Sequence, residues 1–151
     1  MINTNELKIG DWVDVRNSEY IRYGKEPGYT LVDSINYSGI NITSGYEGSI
    51  ECEYLDQNLF GIPLTPEILE ACGFEKMDRR NNTSLYKKWP ISIVVNDDNV
   101  CEYMFLYIDD SSISEIDWIK KPNSLHQLQN LYFSLTGEEL SVNLTQRKTV
   151  L

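Results

Sequence analysis

Residues 124–137, SLHQLQNLYFSLTG, constrain the fold more than any other stretch, because they spell a capped amphipathic helix with one apolar residue out of place. At about 100° per residue, Leu125, Leu128, Leu131, Tyr132 and Leu135 form one apolar stripe about 120° wide. Ser124 suits the N-cap position and Gly137 stands just past the end. Phe133 falls outside the stripe, on the polar side between His126, Gln129 and Asn130. A helix with two apolar faces needs cover on both. The expectation is a helix wedged between two layers of the fold, or one that joins copies of the chain into a homo-oligomer.

Upstream, the first sixty residues read as short strands with turns at regular spacing. Candidate strands are Leu7–Val15, Glu19–Tyr23, Tyr29–Tyr37, Ser49–Leu55 and Leu59–Pro63, punctuated by Gly24, Pro27-Gly28, Ser38-Gly39, Gly45 and Gly48. In Ile50-Glu51-Cys52-Glu53-Tyr54, apolar and polar residues alternate as in a strand with one face in water. Next, PLTPEILEACGF carries clear helix boundaries. Thr65 is a natural N-cap and Pro66 suits the first helical position, where its missing N–H costs nothing. Gly73 fits a left-handed position after the last turn, letting Phe74 fold back on Leu69 in a Schellman-type closure.

Residues 84–119 hold three further expected strands. Ile91–Val95 and Val100–Ile108 flank the turn Asn96-Asp97-Asp98-Asn99, and Ile113–Ile119 follows Asp109-Asp110. Both faces of Val100–Ile108 are apolar, which predicts a central strand covered on both sides. A further short strand is expected at Leu140–Val142, with a fraying tail over 143–151. The fold class that follows is α+β. It comprises a bent antiparallel sheet or small barrel of short strands, a short helix at about 66–72 and a longer one at about 125–136. With 151 residues the chain fits one domain, its all-β part at 1–63 and its helix-containing part at 64–142.

Charge and cysteine content restrict function. The net charge is −10, from 13 basic and 23 acidic residues, and an acidic surface repels nucleic-acid polymers. Solubility is the ordinary use of such a surface, and attraction of a basic host protein is the more specific one. Cys52, Cys72 and Cys101 form no CxxC pair, so zinc-ribbon and thioredoxin-type chemistry are not indicated. No run of apolar residues is long enough to cross a membrane, and MINTNELKIG lacks the apolar core of a leader, so the cytoplasm is the expected location.

Catalytic signals are thin. His126 is the one histidine, and no GxSxG elbow accompanies it. A small hydrolase using His126 and a nearby carboxylate stays open as an alternative. The acidic residues around Asp109, Asp110, Glu115 and Asp117 do not match a calcium loop, and Gly45-Tyr46-Glu47-Gly48 lacks the Walker lysine. Neither a cofactor nor a metal is expected. The best small-ligand signal is a tryptophan beside each of two lysine pairs, in Lys87-Lys88-Trp89 and Trp118-Ile119-Lys120-Lys121. Cations next to aromatic faces suit a nucleotide, with the base stacked and the phosphate paired. A pocket combining Lys87, Lys88, Trp89, Trp118, Lys120 and Lys121 with His126, Gln129, Asn130 and Phe133 is the candidate site. Strand ends carrying solubilising lysines would look the same.

Three segments together also resemble a known group of proteins. ELKIGDWV at 6–13, GIPLTPEILEACGFEK at 61–76 and IKKPNSLHQLQNLYFSLTGEEL at 119–140 resemble small uncharacterised proteins of phages and mobile elements of Bacteroides-type bacteria. The specific part is HQLQNLYF-x-LTGEEL. The resemblance implies context, an accessory phage protein acting inside a host cell, and assigns no catalytic role to any residue. Together with the Trp–Lys doublets it leads to the expectation of a non-enzymatic protein that sequesters a small nucleotide-type defence signal.

Overall fold

A computed structural model describes residues 1–16, 28–36, 39–43, 49–52, 59–78, 83–98, 101–109, 112–115 and 121–144. The architecture is α+β, and the chain divides into two compact units, one built on Met1–Ile62 and the other on Pro63–Asn143.

The first unit is an antiparallel sheet of five strands: β1 (Trp12–Val15), β2 (Gly28–Asn36), β3 (Gly39–Thr43), β4 (Ser49–Cys52) and β5 (Leu59–Phe60). Their spatial order is β4-β3-β2-β1-β5. Among the described residues β4 and β5 each pair on one side only, so the sheet is open and not the small barrel expected as an alternative. Ile2, Leu7, Val13, Val15, Val32, Ile40, Ile42 and Leu59 form its core. The expected strand Leu7–Val15 shortens to Trp12–Val15 for a backbone reason. A turn over Lys8–Asp11 places Gly10 at φ 91°, and the Lys8 N–H donates to the Asp11 carboxylate at 2.9 Å. Type II turns need such a positive φ at their third residue. The strand β3 escaped the sequence reading because three alternating residues, Ile40-Asn41-Ile42, lie between turn-forming neighbours. The expected strand Glu19–Tyr23 lies outside the described residues.

The second unit opens with helix α1 (Pro66–Ala71), and its boundaries follow the sequence signals closely. Thr65 Oγ1 accepts the Ile68 N–H at 3.4 Å. At the other end Gly73 adopts φ 77°, with Gly73 N–H donating to Glu70 O at 2.9 Å and Phe74 N–H to Leu69 O at 3.0 Å. These are the two bonds of the Schellman motif. A second five-stranded antiparallel sheet follows: β6 (Glu75–Asp78), β7 (Thr83–Lys88), β8 (Ile91–Asn96), β9 (Cys101–Asp109) and β10 (Ser112–Glu115). Their order is β10-β9-β8-β7-β6.

The strand expected over Val100–Ile108 is β9, an interior strand paired with β10 and β8, while the middle place falls to β8, whose Ile91, Ser92, Ile93, Val94 and Val95 are all buried. Two strands account for the shift. β6 and β7 extend the sheet past β8, and β6 is a polar edge strand, Glu-Lys-Met-Asp, with no periodic apolar signal. At the start of the expected turn Asn96 behaves as its residue type dictates, its Oδ1 accepting the Asp98 N–H at 3.0 Å.

Helix α2 (Leu125–Thr136) closes this unit. Gly137, at φ 74°, donates its N–H to Phe133 O at 2.8 Å and ends the helix in a left-handed cap. Pro63 and Ser124, which precede the two helices, pair as an isolated β-bridge. Leu140–Val142 forms no strand; Leu140 is buried, and Asn143 N–H donates to Ala71 O at 2.8 Å.

Both helices lie against one face of the second sheet. Tyr86 and Lys88 are two residues apart on β7 and share a face. Burial, with the Glu70 and Glu67 carboxylates of α1 behind it, raises the Tyr86 phenol above its ordinary pKa. Lys88 Nζ lies 6.0 Å from the centre of the Tyr132 ring of α2. Direct cross-strand pairing adds Ile91, Ile93, Met104 and Leu106 to the same face.

Candidate functional site

The buried side of α2 differs from the expected stripe. Leu125, His126, Leu128, Gln129 and Tyr132 are buried, Leu131 is half-buried and Leu135 is 39% exposed. On a helical wheel this rotates the covered arc toward Gln129 and away from Leu131 and Leu135. The reason is polar pairing: His126 Nδ1 meets Ser124 Oγ at 3.0 Å inside the fold, so the imidazole can occupy an interior position. Ser124 thus holds the N-cap position without a side-chain cap bond. Gln127 Oε1 accepts the Asn123 N–H at 2.9 Å, which ties the residue before the cap to the first helical turn. Phe133 was expected to be covered within the fold or by a second copy, and within this chain it is 43% exposed.

A recess of about 580 Å³ lies beside the last turn of α2. The lining residues are Trp89, Pro90, Leu106, Tyr132, Leu135, Thr136 and Glu138, all of the second unit. Trp89 and Pro90 form the tight connection between β7 and β8, joined by a cis peptide bond, and Trp89 is 51% exposed. Leu106 projects from β9, and Tyr132 and Leu135 project from α2. A volume of this size lies in the range of small-molecule sites, and an apolar wall with few polar groups is their usual composition.

The far rim is held by one hydroxyl. Thr136 Oγ1 donates to Tyr132 O at 2.8 Å and accepts the Glu138 N–H at 3.0 Å. That pair of bonds ties the segment carrying Glu138 to the helix turn carrying Tyr132. Lys88 does not line the recess and lies by Tyr132, its Nζ 6.0 Å from the ring centre. Its Nζ is 2.8 Å from where a Cβ on Gly73 would stand, so the close approach depends on the bare glycine.

Of the residues singled out from the sequence, the structure places Trp89 in the recess and Lys88 beside its Tyr132 wall. Lys87 is exposed on the opposite face of β7, and Lys121 is exposed near Cys101. His126 and Gln129 are buried, and Asn130 is half-buried. Trp118 and Lys120 lie outside the described residues. Tyr132, Thr136 and Glu138 were not singled out. The usable signal was the cap itself, since Thr-Gly-Glu after a helix turns the chain back toward its last turn.

Both described thiols with shifted acidity are protected by burial. Desolvation pushes Cys72 up to about 12, opposed by the nearby Lys88 ammonium. It also raises Cys101, opposed by Lys121. Among the described residues no group of three or more His, Cys, Asp or Glu could hold a metal ion. Among the same residues no helix is long and apolar enough to cross a membrane.

Together these features define an α+β protein with a small aromatic recess at the end of its closing helix. Compared with known protein families, with characterised proteins and with solved structures, the chain matches none of them.

Proposed function

We propose that this is a non-enzymatic binding protein that holds a small nucleotide-type ligand in the Trp89–Tyr132 recess. In the phage context implied by the resemblance of 6–13, 61–76 and 119–140, it sequesters a signal of host defence. The observation that carries the reading is Trp89: a half-exposed indole on the wall of a 580 Å³ recess, with the Lys88 ammonium by the facing Tyr132. Aromatic faces stack on any base, and an adjacent cation pairs with phosphate. The buried Ser124–His126 pair supports binding over catalysis, because a nucleophile and base enclosed in packing cannot meet a substrate.

Calorimetric titration with mono-, di- and cyclic ribonucleotides tests this. At least one should bind one-to-one per chain and be recovered chemically unchanged. Trp89→Ala should weaken it by roughly 5- to 150-fold, the equivalent of about 1–3 kcal/mol of stacking per base. Recovery of a cleaved product, or affinity indifferent to Trp89→Ala, would refute the proposal.

A further inference from the structure

We infer that the recess receives the base of the nucleotide, not its phosphates, and that Glu138 makes it selective for guanine. This rests on the nucleotide-binding reading and adds the identity and orientation of the ligand. Among the described lining residues Glu138 carries the only formal charge, and that charge is negative. Glu138 is exposed at the rim, and a phosphate placed inside would stand within a few ångströms of its carboxylate, closer than salt screens like charges. The phosphates therefore lie outside, on the side of the recess where Lys88 stands beside Tyr132.

What enters must stack on Trp89 and also satisfy a group that can only accept hydrogen bonds. Guanine does both. Its Watson–Crick edge offers two adjacent donors, N1–H and the N2 amino group, which match the two oxygens of a carboxylate. Adenine offers one donor beside an acceptor on the same edge, and that acceptor would be set against a carboxylate oxygen. Bidentate pairing of a side chain with one base is worth about 1–3 kcal/mol of discrimination, or roughly 5- to 150-fold.

Position matters as much as charge. The two Thr136 Oγ1 bonds, to Tyr132 O and from the Glu138 N–H, hold the Glu138 backbone at the rim without the ligand. With its backbone anchored beforehand, Glu138 has only its side-chain torsions to order on binding. Thr136 is accordingly a positioning residue, and Glu138 is the reader.

The experiment is isothermal titration of the full chain with GMP, AMP, IMP and 1-methylguanosine monophosphate, repeated on Glu138→Gln. GMP should bind at least about tenfold more tightly than AMP. IMP lacks the N2 amine and the methylated nucleotide lacks N1–H, so each should lose a large part of that preference. Glu138→Gln should bring GMP and AMP within about threefold, because an amide offers one acceptor where the carboxylate offers two. Thermal melting reports whether the variant folds, and the four ligands on the unaltered protein decide the question even if it does not. Equal binding of all four nucleotides to the unaltered protein, or an undiminished GMP preference in folded Glu138→Gln, overturns guanine selection and leaves nucleotide binding standing. Absence of binding to any nucleotide overturns the underlying reading itself.

Discussion

Ser124 Oγ and His126 Nδ1 lie 3.0 Å apart, and both side chains are buried. The pair spends the hydroxyl that would otherwise cap α2 on holding an imidazole inside the fold. Its role is therefore packing, and it decides which arc of the helix faces inward.

From this pair comes the first prediction. His126→Ala removes the ring partner of a buried hydroxyl and should destabilise the protein by about 1–3 kcal/mol. Nucleotide affinity should stay within twofold, since His126 does not line the recess. Urea denaturation and calorimetry on the same sample separate the two effects. A variant of native stability would mean that the pair is not a structural element.

Glycines 73 and 137 offer an internal comparison, with φ 77° and 74°. Both should lose about 1–2 kcal/mol on substitution by Ala, from the left-handed backbone alone. A Cβ at Gly137 meets nothing within 4 Å, whereas at Gly73 it meets Lys88 Nζ at 2.8 Å. Gly73→Ala should therefore also displace the Lys88 ammonium and weaken nucleotide binding severalfold. Gly137→Ala should leave binding nearly unchanged. Equal affinity of the two variants would show that the placement of Lys88 has no part in the site.

Alkaline stability should carry the mark of Cys72. Its thiol is raised from an ordinary value of 9.0 to about 12 by burial. In the unfolded chain the proton leaves near pH 9, while the native protein keeps it to about 12. Between those values the unfolded state binds fewer protons, so stability falls as pH rises, by up to about 1.4 kcal/mol per unit. Below pH 9 the contribution of the neutral thiol is fully present. Cys101, also raised, adds in the same direction. Denaturation midpoints measured from pH 8 to 10.5 should fall less steeply in Cys72→Ala than in the unaltered protein. Identical slopes would contradict the assignment.

Leucines on α2 should separate sharply. Leu128 is fully buried, so Leu128→Ala should cost about 2–5 kcal/mol. Leu135, 39% exposed, should cost under about 1 kcal/mol and act on ligand affinity instead, as a recess wall. A large stability loss at Leu135 would return it to the core arc that its helical spacing first indicated.

The contrast between these leucines shows where sequence pattern stops. Local signals foretold local structure: the Thr65 cap, the Gly73 closure, the Asn96 turn and the end of α2 at Gly137 were all legible. Each depends on the preferences of a few neighbouring residues, and neighbours are visible in a chain. Adjacency to a lysine pair also marked Trp89, though nothing marked Glu138, whose backbone is held at the recess by the Thr136 hydroxyl.

By itself, then, the sequence determined the helix boundaries, the Gly73 closure, the turn at Asn96 and the α+β class, because capping, left-handed glycine and strand alternation act within a few residues. Only the tertiary structure decided that β8 is central, that β6 and β7 widen the sheet, and that α2 turns Gln129 inward and Leu135 outward. Those outcomes hang on partners distant in the chain, such as Lys88 beside Tyr132. A hydrophobic stripe says that burial is favourable. It does not say which neighbour will provide it.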